Sequence, residues 1–417
     1  MSESAVPRLT YLRIKNYRAL RDVEFRDLTP LTMLIGPNGS GKSTVLDALA
    51  FLAEAVGGDL KGAWERRNRF AGMRTRGGEG SIEFEITISL QLGQSAIKYE
   101  LEVDEKDGQV YMVGEAVSIS DKAGSFRYAF FAENYSFNSF TNVTRFIKRV
   151  ASEGLEKVET YESAETHELF KRGPLIQSYS GFNNAARNEA ELIVSLLTSY
   201  RNIHLTDDHL KGYSDAGPRE RLSPNGDNLP NVLYYLHEKH PDVLEKIAAQ
   251  LRRWVPGLAD IVTEITSDER LLLRFKDAPF EKPLPAQYMS GGTMRLAALL
   301  TLLYEPNATG LLGMEEPDNE LHPLLLYRLA EELGKATETR QLLVTTHSPM
   351  LLDALAPEQV WILHRDAEGY TQATRTADIP NVPELVEDGS PLGYLWTSNA
   401  FHVGNPLAAY HPRPDAR

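Results

Sequence analysis

Apolar residues recur with a period of two over 9–14 and again over 19–25, with Asn16-Tyr17-Arg18 between the runs, which predicts a hairpin-like pair of opening strands. Leu31, Met33, Leu34 and Ile35 then form a short apolar run, and Val45, Leu46, Ala48 and Leu49 follow at helical spacing. That order is a buried strand, a loop and a helix in immediate succession. Four β-rich stretches, 81–90, 97–103, 110–119 and 126–132, are broken by Gly, Asp and Lys and predict an antiparallel sheet beside the first strand. From 133 to about 256 the periods lengthen, notably over 185–200, 229–240 and 242–254, which predicts a mainly helical lobe. A hairpin is expected over 261–265 and 271–275 around Ser267-Asp268, then a helix over 296–304 and short core strands at 311–314, 342–346 and 360–364. The proline-rich stretch 405–417 reads as a tail, and no internal repeat breaks the order.

Chemistry enters first in the loop after the strand at 31–35. Gly36, Pro37, Asn38, Gly39, Ser40, Gly41, Lys42, Ser43 and Thr44 satisfy G-x-x-x-x-G-K-[ST], the phosphate-binding P-loop. Glycines permit backbone conformations closed to other residues, so successive N–H groups converge on phosphate oxygens at a helix N-terminus whose dipole favours an anion. Lys42 is expected to reach the β- and γ-phosphates of ATP, and Ser43 to offer its hydroxyl to Mg²⁺.

Composition narrows the partners. With 44 basic and 58 acidic residues among 417, the net charge is −14, so no global field draws the chain to nucleic acid or an anionic membrane. Any polyanion site is local, and 61–76, with Arg66, Arg67, Arg69, Arg74 and Arg76, is either a solvated segment or a basic lip near phosphates. The absence of cysteine excludes disulfides and thiolate sites. No apolar run is long enough to span a membrane and the N-terminus lacks a signal-peptide core, so a cytoplasmic location is expected.

Three later motifs stand at strand or helix ends. Ser290-Gly291-Gly292 opens the helix over 296–304, with Ser290 as N-cap and the glycines leaving the N-terminus bare for an anion. The strand at 311–314 ends in Glu315-Glu316-Pro317, where an α/β sheet holds its ligand. The strand at 342–346 ends in His347.

Taken in order, these motifs resemble the ABC-type ATPase heads of the RecF/SMC-like branch. The likeness is strongest to bacterial ATPases of the AAA_21 type, through the segments ERLSPNGDNLPNVLYYL, EEPDNELHP and TTHSPMLL. It extends to the OLD family and to phage-defence ATPases such as Septu and PARIS. The resemblance implies an α/β P-loop NTPase: an ABC-type head from 1–134 and 257–417, with an antiparallel β subdomain, and a helical lobe inserted at 135–256. It implies Glu315 as the acid that holds Mg²⁺, Glu316 as general base, His347 as γ-phosphate sensor, and Ser290, Gly291 and Gly292 as the signature that binds ATP held by another subunit. Arg18 resembles an N-terminal arginine that approaches the nucleotide. Gln177 is the first candidate for the metal-side glutamine, with Gln91 and Gln94 as alternatives. His322 stands where transporters carry aspartate at the subunit interface.

Two function classes follow. One is an ATP-hydrolysing switch that forms a homodimer or higher oligomer around ATP and senses DNA or RNA, with an effector nuclease or other protein in trans. The other is a regulatory or scaffolding ATPase that faces protein partners alone. Aromatics interleaved with bases at 145–253 favour the first where they clamp a strand, and neither where they are core and solvated face.

Overall fold

The computed structural model describes residues 6–89, 96–121, 124–133, 142–150, 157–161, 184–211, 214–215, 217–266, 270–405 and 407. Its strands in chain order are β1 (Arg8–Tyr17), β2 (Leu20–Phe25), β3 (Leu31–Ile35), β4 (Ile82–Ser89), β5 (Ala96–Lys106), β6 (Gln109–Asp121), β7 (Gly124–Glu133), β8 (Asn142–Val150) and β9 (Lys157–Tyr161). After these come β10 (Arg201–Ile203), β11 (Ser214–Asp215), β12 (Leu258–Ile265), β13 (Arg270–Asp277), β14 (Leu284–Pro285), β15 (Gly310–Glu315), β16 (Arg340–Thr346), β17 (Val360–Arg365) and β18 (Thr371–Arg375).

All five residues of β3 are buried, so the strand must be covered on both faces, as in a parallel sheet. It lies inside a six-stranded sheet of order β10-β15-β16-β3-β17-β18, parallel except for the β17–β18 hairpin. Alternate β3 residues supply two different cores. Leu34 joins the layer made by the P-loop helix Lys42–Glu54 and the inner faces of β1, β4, β5 and β6. Leu31, Met33 and Ile35 join the layer made by the helices Leu229–Lys239, Pro241–Trp254 and Gly291–Leu303.

The second sheet has eight strands in the order β2-β1-β4-β5-β6-β7-β8-β9. The opening hairpin forms as expected, with Leu12 opposite Phe25 and Tyr17 opposite Leu20. The expected boundary at 134 falls inside this sheet, because β8 and β9 lie within 135–256 and extend it antiparallel. Bases at 145, 148 and 149 disturb the period-two pattern of β8, which is why the stretch reads as something other than strand. The helices of that stretch are correctly anticipated as elements, but 229–239 and 241–254 press their apolar stripes onto the parallel sheet and add to its core. Tyr200 is buried in the opposite core, against the P-loop helix, and donates from its hydroxyl to the Leu46 carbonyl at 3.0 Å, a core role. Among the described residues no helix is long and apolar enough to cross a membrane.

One buried amide joins the two sheets. Gln341 on β16 is fully buried; its Oε1 accepts from the Leu9 N–H at 2.7 Å, and its Nε2 donates to the carbonyls of Leu9 at 2.8 Å and Thr29 at 3.1 Å. Arg8 Nη1 adds a bond to the Arg340 carbonyl at 2.5 Å. Gln341→Leu keeps the bulk but leaves the Leu9 N–H and C=O unpaired, and each buried unpaired group costs about 1–3 kcal/mol. Denaturant unfolding should therefore register a loss of about 2–6 kcal/mol, and an unchanged midpoint would show that the junction is not buried in solution.

Candidate functional site

Parallel register sets the site. Ile35 pairs with Thr346 and Glu315 with Thr345, so β3, β15 and β16 end together and deliver Gly36, Glu316 and His347 to one edge of the sheet. The loop from Gly36 wraps around its own lysine. Lys42 is buried, and its Nζ donates to the carbonyls of Gly36 at 2.9 Å and Pro37 at 3.2 Å. Burial pushes the Lys42 ammonium below the ordinary lysine range, and the nearby charge of Glu316 works against that shift.

Gly36 is required by space as well as by φ of 156°: a Cβ there would lie 2.0 Å from the Leu363 carbonyl oxygen. The loop is buttressed from β17 and β18. Arg365 Nε donates to the Gly39 carbonyl at 2.7 Å, and Thr371 Oγ1 to the Ser40 carbonyl at 2.8 Å. The Ser40 hydroxyl is buried without a hydrogen-bond partner, as befits a loop with donors in reserve for an anion. Ser43 is exposed at the loop's end; its hydroxyl and the Glu315 carboxylate are hard oxygen donors of the kind Mg²⁺ takes.

The acid pair points two ways. Glu315 ends β15, while Glu316 adopts left-handed backbone with φ of 44°. That uncommon conformation is held by the Glu316 N–H, which donates to the Thr345 carbonyl at 3.0 Å and to Thr345 Oγ1 at 3.2 Å. His347 Nε2 lies 3.5 Å from Glu316 Oε1. Burial and the Lys42 charge lower the His347 imidazole from its ordinary value, against the pull of Glu316. Lys42, Glu316 and His347 thus form one electrostatic group.

Ser290 caps its helix as expected, accepting from the Thr293 N–H at 3.2 Å, and it is exposed. Among the described residues no hydrogen bond or ion pair joins it to the P-loop, Glu316 or His347. The helix is tied to the acid turn from behind, where the buried Arg295 donates to the carbonyls of Glu316 at 3.3 Å and Leu205 at 3.1 Å. The glycines do not leave its N-terminus bare. A Cβ at Gly291 would lie 2.0 Å from Glu320 Oε2 and 2.3 Å from Asp207 Oδ2, so two carboxylates occupy that side.

Arg18 sits in left-handed backbone with φ of 49° and pairs with Asp47 at 3.0 Å. With Thr44, Arg74, Arg76, Arg365 and Tyr370 it lines a cavity of about 590 Å³ beside the P-loop helix. The arginine segment is largely neutralised: Arg66 pairs with Glu54 and Asp59, Arg67 with Asp47 and Glu54, and Arg74 with Asp104. Gln177, Gln91 and Gln94 lie outside the described residues. Glu315 is flanked by Asn202 of β10, which donates to Glu315 Oε1 at 2.9 Å, and by His204 just after that strand, whose Nδ1 stands 3.7 Å from Oε2. Sequence reasoning missed both, and it missed Asn319, whose Nδ2 donates to Glu316 Oε2 at 2.7 Å.

Asp318, next in the acid turn, is pushed above the ordinary carboxylate range by burial, and its Oδ1 has no hydrogen-bond partner. A raised folded-state value means a stability contribution present below the unfolded value of 3.8 and lost as pH rises through the folded one. Asp318→Asn removes that dependence. The variant and the parent should melt together near pH 3.5, and the variant should melt higher at pH 7; a gap that closes as pH rises would reverse the assignment.

A family model described as AAA domain, putative AbiEii toxin, Type IV TA system (AAA_21) matches residues 31–353. An OLD nuclease of Thermus scotoductus is 49% identical over 41 residues, a stretch that covers 10% of this chain and only 8% of that protein. Among solved structures, the SMC head bound to the C-winged helix domain of ScpA is matched at 15% identity and a TM-score of 0.47, over 88% of this chain and 97% of that one. The SMC head domain from Thermotoga maritima is matched at 14% identity and a TM-score of 0.39, over 88% and 98%.

Proposed function

The chain belongs to the AAA_21 family, and from that premise we propose that it is an ATP-binding and ATP-hydrolysing switch that dimerises around ATP in the cytoplasm and acts with an effector partner in nucleic-acid sensing, DNA repair or phage defence. The observation that carries the reading is the convergence of Lys42, Glu316 and His347 at the C-terminal edge of the parallel sheet. In this reading the P-loop amides and Lys42 grip the phosphates, and Ser43 and Glu315 are the residues that would hold Mg²⁺, which would supply positive charge to offset that of the phosphates. Glu316 takes the proton of the attacking water, and His347 steadies the γ-phosphate end. Ser290, exposed and unconnected to its own P-loop, is presented to a second copy.

A second reading has its own support. Arg66, Arg67 and Arg74 are spent on internal carboxylates, which weakens the case for a basic lip and favours an ATPase that faces protein partners alone. Filter binding of single- and double-stranded DNA and RNA at low salt with ATP separates the two; salt-sensitive retention supports the nucleic-acid reading, and none supports the other.

Lys42→Ala removes the loop's only charged donor, so calorimetry should show loss of tight ATP binding, and equal affinity would refute the P-loop assignment. Glu316→Gln should keep ATP bound while slowing hydrolysis by about a hundred- to ten-thousand-fold. Bound ATP then persists, and light scattering should show a trapped dimer that Ser290→Arg dissolves without loss of ATP. Wild-type hydrolysis in Glu316→Gln would remove Glu316 from the role of base.

A further inference from the structure

Glu315 and Glu316 are neighbours in sequence, yet among the described residues their carboxylates share no hydrogen-bond or ion-pair partner. Each has one amide donor and one imidazole, drawn from different parts of the fold. For Glu315 both come from the β10 side: Asn202 Nδ2 on Oε1 at 2.9 Å and His204 Nδ1 at 3.7 Å from Oε2. For Glu316 they come from its own turn and from the end of β16: Asn319 Nδ2 on Oε2 at 2.7 Å and His347 Nε2 at 3.5 Å from Oε1. The left-handed backbone at Glu316 makes the separation, because an extended residue there would continue β15 and its pairing with β16.

Both amides are placed by the backbone. Asn202 pairs in parallel register with Gly313, two residues before Glu315; a Cβ at Gly313 would lie 2.3 Å from the Tyr200 hydroxyl and 3.1 Å from Asn202 Oδ1, so the glycine leaves room for both. Asn319 is fixed by its own N–H, which donates to the Glu316 carbonyl at 3.2 Å and closes the turn.

We propose that Asn202 and Asn319 are positioning residues that divide the work of the acid pair, Asn202 aiming Glu315 at the metal and Asn319 aiming Glu316 at the attacking water. The inference rests on the ATPase reading above. An amide suits the task because it donates a hydrogen bond while carrying no charge, so it fixes one oxygen of a carboxylate without neutralising the other. A lysine or arginine in either place would hold the acid just as firmly but would draw off the charge that metal binding or proton abstraction needs. Separate clamps also keep two like charges from collapsing into one shared-proton pair.

The division is testable in steady-state ATPase kinetics of the full chain, with Mg²⁺ and ATP varied independently. Asn202→Ala should raise the Mg²⁺ needed for half-maximal rate by about 10–100-fold, the usual effect of losing a partner behind a metal ligand, with kcat at saturating Mg²⁺ held within about twofold. Asn319→Ala should lower kcat by about 10–100-fold with the Mg²⁺ requirement and ATP affinity unchanged, since only the aim of the base is lost. Asn202→Asp and Asn319→Asp keep the shape but replace the donor with a repelling carboxylate, so each should be at least as impaired as its alanine variant. Melting curves and ATP binding without Mg²⁺ confirm that every variant is folded. The proposal is overturned if both alanine variants move the same kinetic parameter, if either matches wild type, or if the aspartate variants are fully active. A wild-type rate in Glu316→Gln would overturn the base assignment and this proposal with it; an inert Glu316→Gln beside a fully active Asn319→Ala would overturn the positioning alone.

Discussion

The shared ending of β3, β15 and β16 is the constraint on which the site depends. Parallel pairing locks Ile35 to Thr346 and Thr345 to Glu315, so the three functional ends cannot drift apart without breaking two ladders. A slip of one residue would turn every buried side chain of β3 to the opposite core. The two cores differ in what they hold: Leu34 meets the P-loop helix, and Met33 and Ile35 meet the helix that Ser290 caps. The two-sided burial of a five-residue strand therefore helps decide where a lysine, a carboxylate and an imidazole converge.

Polar groups reinforce that arrangement where the chain changes direction. Thr345 supplies both its carbonyl and its hydroxyl to the Glu316 N–H, which secures a backbone conformation that glutamate rarely adopts. Arg295 reaches the Glu316 carbonyl from the helix that Ser290 caps, so that helix and the acid turn are parts of one hydrogen-bonded unit. Gln341 does comparable work between the sheets, pairing with Leu9 332 positions away in sequence. These are long-range amide and guanidinium bonds, each of which leaves a buried group stranded if one partner is lost.

Local pattern made part of this legible and left part unreadable. The P-loop, Glu315-Glu316 and His347 each sit at the end of an apolar run, so position along the run already says which edge of the sheet they occupy. The helices over 229–254 were legible as elements, but nothing in their period says which sheet receives their apolar faces. Asn202 lies in a strand of three residues and meets its carboxylate across 113 positions of sequence, too short an element and too distant a partner for periodicity to register. Asn319 is only three residues from Glu316, yet it becomes informative only when the turn that joins them is known.

The Ser290 helix shows how one motif can satisfy two demands. Read locally, two glycines at a helix start mean a bare anion site. In the fold, Gly291 is glycine because the carboxylates of Asp207 and Glu320 fill the space a side chain would take. The side-chain hydrogen bond between them pushes the Glu320 carboxyl up. The helix dipole favours that negative charge just as it would favour a phosphate. Ser290 is exposed and its hydroxyl accepts from the Thr293 N–H, while Gly291 and Gly292 are half-buried and accommodate the protein's own acidic residues. The Ser-Gly-Gly order thus follows from packing on one side of the helix and access on the other.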